Sequence, residues 1–189
     1  MIEHFDGIER QFEGTAFGNA AEYLHKEGYS FDYISDKQVH QLQQEAGRIV
    51  TSGGSSYKVM LIPACDYMPI ETFSKLRELA VSGVPVLFYR NYPLTFSGNA
   101  KVETKQVKWL QEFYILNKLE ADNQQVKVGS DLEALLLESA VDKEPMTSLG
   151  LRCIRKRNEQ GIVYFVYNWT DESVEAWVPV TGNAPEEIG

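Results

Sequence analysis

Apolar residues recur along the chain in two rhythms, one helical and one alternating, and the change between them falls near Pro145. After Thr15, suited to an N-cap, Phe17, Ala20, Ala21 and Leu24 fall at helical spacing, and Gly28 stands in the C′ place. That spacing predicts a helix with a buried stripe. Phe31-Asp32-Tyr33-Ile34 alternates briefly as a strand does, and Ser35-Asp36-Lys37-Gln38 reads as a capping box opening a helix that buries Val39 and Leu42. Arg48-Ile49-Val50 with the run Ser52-Gly53-Gly54-Ser55-Ser56 predicts a loop or small hairpin. Val59-Met60-Leu61-Ile62, closed by Pro63, is a wholly apolar run of the kind found in buried parallel strands.

The next unit is the clearest. Pro69 suits a first helical turn, Ile70, Phe73, Leu76, Leu79 and Ala80 form an apolar stripe, Gly83 closes the helix, and Pro85-Val86-Leu87-Phe88 follows as a second buried strand. Strand, helix and strand with short connections imply a right-handed βαβ crossover, hence a parallel sheet covered by helices. Two further helices are expected. One runs from about Glu103 to Leu119 with Val107, Leu110, Phe113 and Tyr114 inward; the other starts at the capping box Ser130-Asp131-Leu132-Glu133 and buries Leu132, Leu135, Leu136 and Ala140. Past Pro145, the segments Leu151 to Arg157, Ile162 to Trp169 and Val174 to Val180 read as a three-stranded antiparallel meander, too small to bury its own face. The expected organisation is an α/β domain over residues 1–146 and an antiparallel β extension over residues 147–189.

Composition narrows the classes. The chain has 189 residues, 43% of them apolar and 12% aromatic, and a globule of that size buries about 70% of its unfolded surface without staples. The 27 acidic residues outnumber the 18 basic ones, and the basic residues scatter except for Arg152, Arg155, Lys156 and Arg157, so nucleic acid is not an expected partner. No run approaches the apolar length of a membrane span, and the acidic start Met1-Ile2-Glu3-His4-Phe5-Asp6 does not read as a signal peptide. Cys65 and Cys153 fit neither a metal knuckle nor a redox pair and are expected as free thiols.

In open α/β sheets ligands collect at the carboxyl ends of the strands. Two loops qualify: one carries Cys65, Asp66 and Tyr67, the other Arg90, Asn91 and Tyr92. Together they offer a thiol, a carboxylate, a guanidinium, an amide and two phenols, a set suited to a polar ligand such as a sugar. A plainer reading has Asp66 and Tyr67 capping the following helix and Arg90 solvated at an edge. Cys65 sits between strand and helix, where the nucleophile of class I glutamine amidotransferases lies. Its neighbours are Ala64 and Asp66 rather than glycines, and His4, His25 and His40 all precede it, so no base is in view and no catalytic residue is assigned. The run Ser52 to Ser56 lacks a phosphate-loop ending, and no cofactor is expected. Nothing fixes His4, Asp6 and Glu9 as ligands, so no metal is expected either. Asn168-Trp169-Thr170 matches the glycosylation sequon.

Several segments, taken in order, carry a family resemblance. Gly28-Tyr29-Ser30-Phe31-Asp32-Tyr33-Ile34-Ser35-Asp36, then Tyr57-Lys58-Val59-Met60-Leu61-Ile62-Pro63, then Tyr67-Met68-Pro69 and the helix to Gly83-Val84-Pro85-Val86 resemble the segment downstream of the catalytic barrel in bacterial glycoside hydrolases of family 106, the α-L-rhamnosidase-like group. Leu151 to Arg157, Ile162 to Asn168 and Val174 to Pro179 look like the start of the β-sandwich region that follows it there. The resemblance implies a flavodoxin-like, or amidotransferase-like, parallel sheet with helices on both faces, serving as an accessory and oligomerisation element. It implies as partners a carbohydrate, the remainder of a larger hydrolase chain and a second copy, and a periplasmic or secreted parent. The family's catalytic carboxylates belong to the barrel, so none is carried over here. The alternative is a free-standing flavodoxin-like module binding a small polar ligand.

Overall fold

The computed structural model describes residues 12–98, 102–122, 124–158 and 161–180. They form two compact units, one of residues 12–20 with Tyr33–Val141, the other of Ala21–Asp32 with residues 142–180. Helix α1 (Ala16–Glu27) contributes to both. Thr15 caps it as expected, its Oγ1 accepting from the Gly18 amide at 3.0 Å. At the far end Gly28 has φ +82°, and the Tyr29 amide donates to the Leu24 carbonyl at 2.9 Å, the left-handed ending that a glycine makes inexpensive.

The first unit is a mixed α/β structure built on a parallel sheet. Strands β4 (Met60–Pro63), β6 (Val86–Tyr89) and β8 (Val126–Gly129) lie side by side in that order, with Met60 opposite Val86 and Val86 opposite Val126. Helix α3 (Ile70–Val81) joins β4 to β6, and helix α4 (Val102–Ala121) lies between β6 and β8 in the chain. Both crossovers bury their helices in one core, where Phe73 stacks on Trp109 with centroids 4.1 Å apart and Phe88 meets Phe73 at 6.4 Å. Val86 and Phe88 belong to that core. Leu87, alternating between them, is fully buried outside it, and helix α5 (Leu132–Glu138) contacts β6 and β8.

Around the sheet, strands β1 (Gln43–Glu45), β2 (Arg48–Val50) and β3 (Ser56–Tyr57) form a small antiparallel sheet, so the expected hairpin exists and gains a strand. Ala46 and Gly47 turn β1 into β2 with φ +49° and +75°, both left-handed, the backbone of a type I′ turn.

Several expectations are corrected. Phe31 to Ile34 forms no strand; Tyr33 and Ile34 are exposed, so the brief alternation had no buried face to serve. Helix α2 (Asp36–Val39) is one turn held by the Ser35 and Gln38 capping box, and Leu42 is buried beyond its end. Helix α4 forms but turns a different face inward. Trp109, Glu112 and Leu116 are buried and Phe113 packs beside them, whereas Val107, Leu110 and Tyr114 are 57%, 59% and 70% exposed. The helix carries two apolar stripes, and the one holding the indole and the ion-paired Glu112 fills the core. Asp131, not Ser130, caps α5, accepting from the Ala134 amide at 3.0 Å, and Ala140 is exposed past its end. Strand β8 has no counterpart in the sequence pattern. Its apolar positions, Val126 and Val128, alternate with Lys127 and Gly129 over only four residues, and its pairing with β6 supplies what the pattern lacks.

In the second unit, β9 (Leu151–Asn158) and β10 (Gly161–Asn168) pair antiparallel along their whole length, with Ile154 opposite Phe165. The meander's third strand, Val174 to Val180, is not formed; Trp177 there is 99% exposed and Pro179 has no amide to donate. The Glu144 amide donates to the Gly28 carbonyl at 2.8 Å, Lys143 pairs with Glu27 at 2.9 Å and Arg155 with buried Glu144 at 2.8 Å. Gly28 is needed here sterically as well, because a Cβ on it would sit 2.1 Å from Thr147 Cγ2.

Candidate functional site

The two loops singled out from the sequence meet at the carboxyl end of the parallel sheet. The Asp66 carbonyl accepts from the Leu94 and Thr95 amides, both at 3.1 Å. Immediately after, β5 (Tyr67–Met68) pairs in parallel with β7 (Thr95–Phe96), and the Ser97 amide donates to Met68 at 3.0 Å. Backbone bonds thus tie the loop after β4 to the loop after β6. Asp66, Tyr67, Arg90 and Asn91 are exposed, and Tyr67 is 67% so. The N-cap of α3 is Pro69, with no side-chain capping bond, so Asp66 and Tyr67 do not cap that helix.

Arg90 has φ +79°, unusual for a residue with a Cβ. Its amide donates to the Gly129 carbonyl at 2.7 Å, fastening the end of β6 to the end of β8, while its guanidinium lies 5.3 Å from the centre of the Tyr89 ring. Asn91 Nδ2 donates to the Tyr92 carbonyl at 2.8 Å. The Tyr92 ring packs 4.5 Å from Phe88 and 5.2 Å from Phe113, and its hydroxyl donates to Glu120 Oε2 at 2.9 Å. Burial, then that hydrogen bond and the Glu120 charge, push the Tyr92 phenol far above its ordinary range. Tyr92 therefore fastens the loop to α4.

Cys65 is half-buried against the core. Burial first, with the Asp66 and Asp36 carboxylates, raises its thiol, so it stays protonated at neutral pH and is a poor nucleophile. Of the exposed side chains at these loops, Asp66 carries acceptors and Arg90 donors, while the Asn91 amide is taken up by the Tyr92 carbonyl.

A shallow cleft of about 320 Å³ runs along β8 and past its end, lined in part by Glu120, Gly129, Ser130, Asp131, Leu135 and Glu138. None of the six sequence-derived residues lines it, and it went unseen with the strand that leads into it. Among the described residues no group of three His, Cys, Asp or Glu side chains is placed to hold a metal, and no helix is long and apolar enough to cross a membrane. His4, Asp6 and Glu9 lie outside the described residues. Within the sequon, Asn168 Oδ1 accepts from the Thr170 amide at 2.9 Å and from its hydroxyl at 2.8 Å, and Asn168 Nδ2 donates to the Glu172 carbonyl at 2.6 Å, which gives these residues a turn-forming part.

Residues 10–187 match the alpha-L-rhamnosidase profile of glycoside hydrolase family 106. The chain belongs to this family. The family 106 chain is 23% identical over 171 residues to a curated Formosa agariphila protein named, provisionally, as a beta-glucuronidase; the match takes in 84% of this chain and 14% of that protein. Its fold is similar to that of the solved rhamnosidase from Novosphingobium sp. PP1Y, with a TM-score of 0.58 and 17% identity over 74% of this chain and 14% of that one. The family 106 chain thus spans about one seventh of the relatives it matches.

Proposed function

We propose that this chain is a non-catalytic accessory region of a bacterial carbohydrate-active glycoside hydrolase of the α-L-rhamnosidase kind, giving packing and oligomer contacts and one side of the sugar cleft. The observation that carries this reading is the exposed apolar face of β9 and β10. Ile154 and Phe165 stand opposite each other, each 66% exposed, with Val163 57% exposed beside them and Trp169, just past the end of β10, 65% exposed. A two-stranded ribbon is marginal in water by itself and needs a surface to cover such a face. Relatives about seven times longer have chain to supply it. On this reading the ribbon opens a β-sandwich, and the strands β4, β6 and β8 with their crossovers belong to a flavodoxin-like, amidotransferase-like module. The test is turnover of an aryl α-L-rhamnoside by the purified chain: none is expected, and activity that survives stringent purification overturns the proposal.

A second reading is favoured by the joining of the two loops: a module that binds a small polar ligand at Asp66, Tyr67, Arg90 and Asn91. A ligand that binds only the folded state raises the melting temperature saturably. Rhamnose and related monosaccharides are expected to do so here, and Asp66→Ala to remove the effect; a Tm flat to high sugar concentration excludes it.

A further inference from the structure

Glu103, Val107, Leu110, Tyr114, Asn117 and Ala121 follow one another on α4 at intervals of four and three, and all six are exposed. At 3.6 residues per turn they fall in a strip roughly 80° wide, directly opposite buried Glu112. This is the spacing of a coiled-coil seam, on the side of the helix the core does not use. Because the core-facing stripe is fixed by the Trp109 stack and the Glu112 ion pair, the helix cannot rotate to bury both.

We propose that this strip is a self-association seam, along which the α4 helices of two copies of the chain pack antiparallel. The charges select both the occupant and the direction. A parallel pair would set Glu103 beside Glu103. The antiparallel pair sets Glu103 against the partner's Lys118, twice by symmetry, and in that register brings Val107 onto the partner's Tyr114 and Leu110 against the partner's Leu110 and Gln111. A shallow open groove lined by Glu103, Thr104, Val107, Lys108 and Gln111 flanks the strip, beside the place that the partner's Tyr114 takes. The contact is small, so the dimer is a weak one.

Sedimentation equilibrium of the purified chain over about 1 to 200 µM tests this, with a mass rising toward twice the monomer expected. Leu110→Glu and Tyr114→Lys, both at exposed positions, are each expected to return a monomer with an unchanged circular dichroism melt. Glu103→Lys or Lys118→Glu alone weakens the dimer about threefold to tenfold, and the double exchange restores it. Phe165→Glu, on the other exposed apolar face, leaves it intact. A chain monomeric throughout overturns the proposal and gives the seam to a helix of another polypeptide segment. A dimer that survives Leu110→Glu, that is lost only with Phe165→Glu, or that the double exchange fails to restore overturns it too.

Discussion

Arg77 of α3 reaches across to Glu112 of α4, its Nε donating to Oε2 at 2.7 Å and its Nη2 to Oε1 at 3.4 Å, with the glutamate side chain only 8% exposed. Burial pushes the Glu112 carboxyl up, but the Arg77 hydrogen bond and charge more than offset it and hold the group below the ordinary carboxylate range. Removing the arginine leaves a buried carboxylate without its ion pair. Arg77→Met is expected to lower stability by about 2 kcal/mol at pH 7 in urea unfolding. The folded state favours the ionised glutamate, so this contribution is present above about pH 4.3 and fades as pH falls further. The gap between variant and wild type should therefore narrow in acid; a gap that widens there contradicts the pairing.

Ala46 and Ala140 hold φ of +49° and +53°, where a Cβ crowds the backbone. Ala140 sits just past α5, and its carbonyl accepts from Lys58 Nζ at 2.7 Å, so the turn is fixed by its neighbours. Ala46→Gly and Ala140→Gly are each expected to stabilise by about 0.5–1 kcal/mol, because the relief of strain exceeds the added freedom of the unfolded chain. Thermal melts that fall for both variants would count against these backbone angles.

Burial and Glu120 hold the Tyr92 phenol well above its ordinary range. A raised phenol stabilises the fold below the unfolded value of about 10 and loses that contribution as pH rises beyond it. Absorbance titration should show a tyrosine ionisation that accompanies unfolding, and Tyr92→Phe should diminish that step. The same variant loses the bond to Glu120 at a cost of about 1 kcal/mol.

Gly28 is doubly constrained, by its left-handed backbone and by Thr147. Gly28→Ala is expected to cost about 3 kcal/mol, the sum of backbone strain and a methyl forced onto a packed side chain. Gly14, with φ +72° and nothing within 4 Å, isolates the first part, and Gly14→Ala should cost about 1 kcal/mol. Faster amide exchange along Leu151–Asn168 in the Gly28 variant alone would locate the damage.

Where a pattern and its burial agree, the sequence was legible. Helix α3, with Ile70, Phe73, Leu76 and Leu79 all inside, and the strands at Met60 and Val86 on either side of it follow from spacing alone. Helix α4 was legible as a helix and not as an orientation, because Val107, Leu110 and Tyr114 make as good a stripe as Trp109 and Leu116, and only tertiary pairing chooses between them. Strand β8 is too short to announce itself without β6 beside it. Of the candidate site, the loops could be placed because parallel strands end there, whereas the backbone bonds of Asp66 and the left-handed turn at Arg90 depend on partners far along the chain.

The hydrogen bond from Glu144 to Gly28 closes the second unit around a long excursion of the chain that contains the entire parallel sheet. During synthesis β4, β6 and β8 and the helices between them are made before Glu144, so the sheet has a contiguous stretch on which to fold first. The segment around Gly28 is made early and waits for its partners. The ribbon unit is thus the last to assemble, and interactions formed that late act on unfolding rates more than on folding rates.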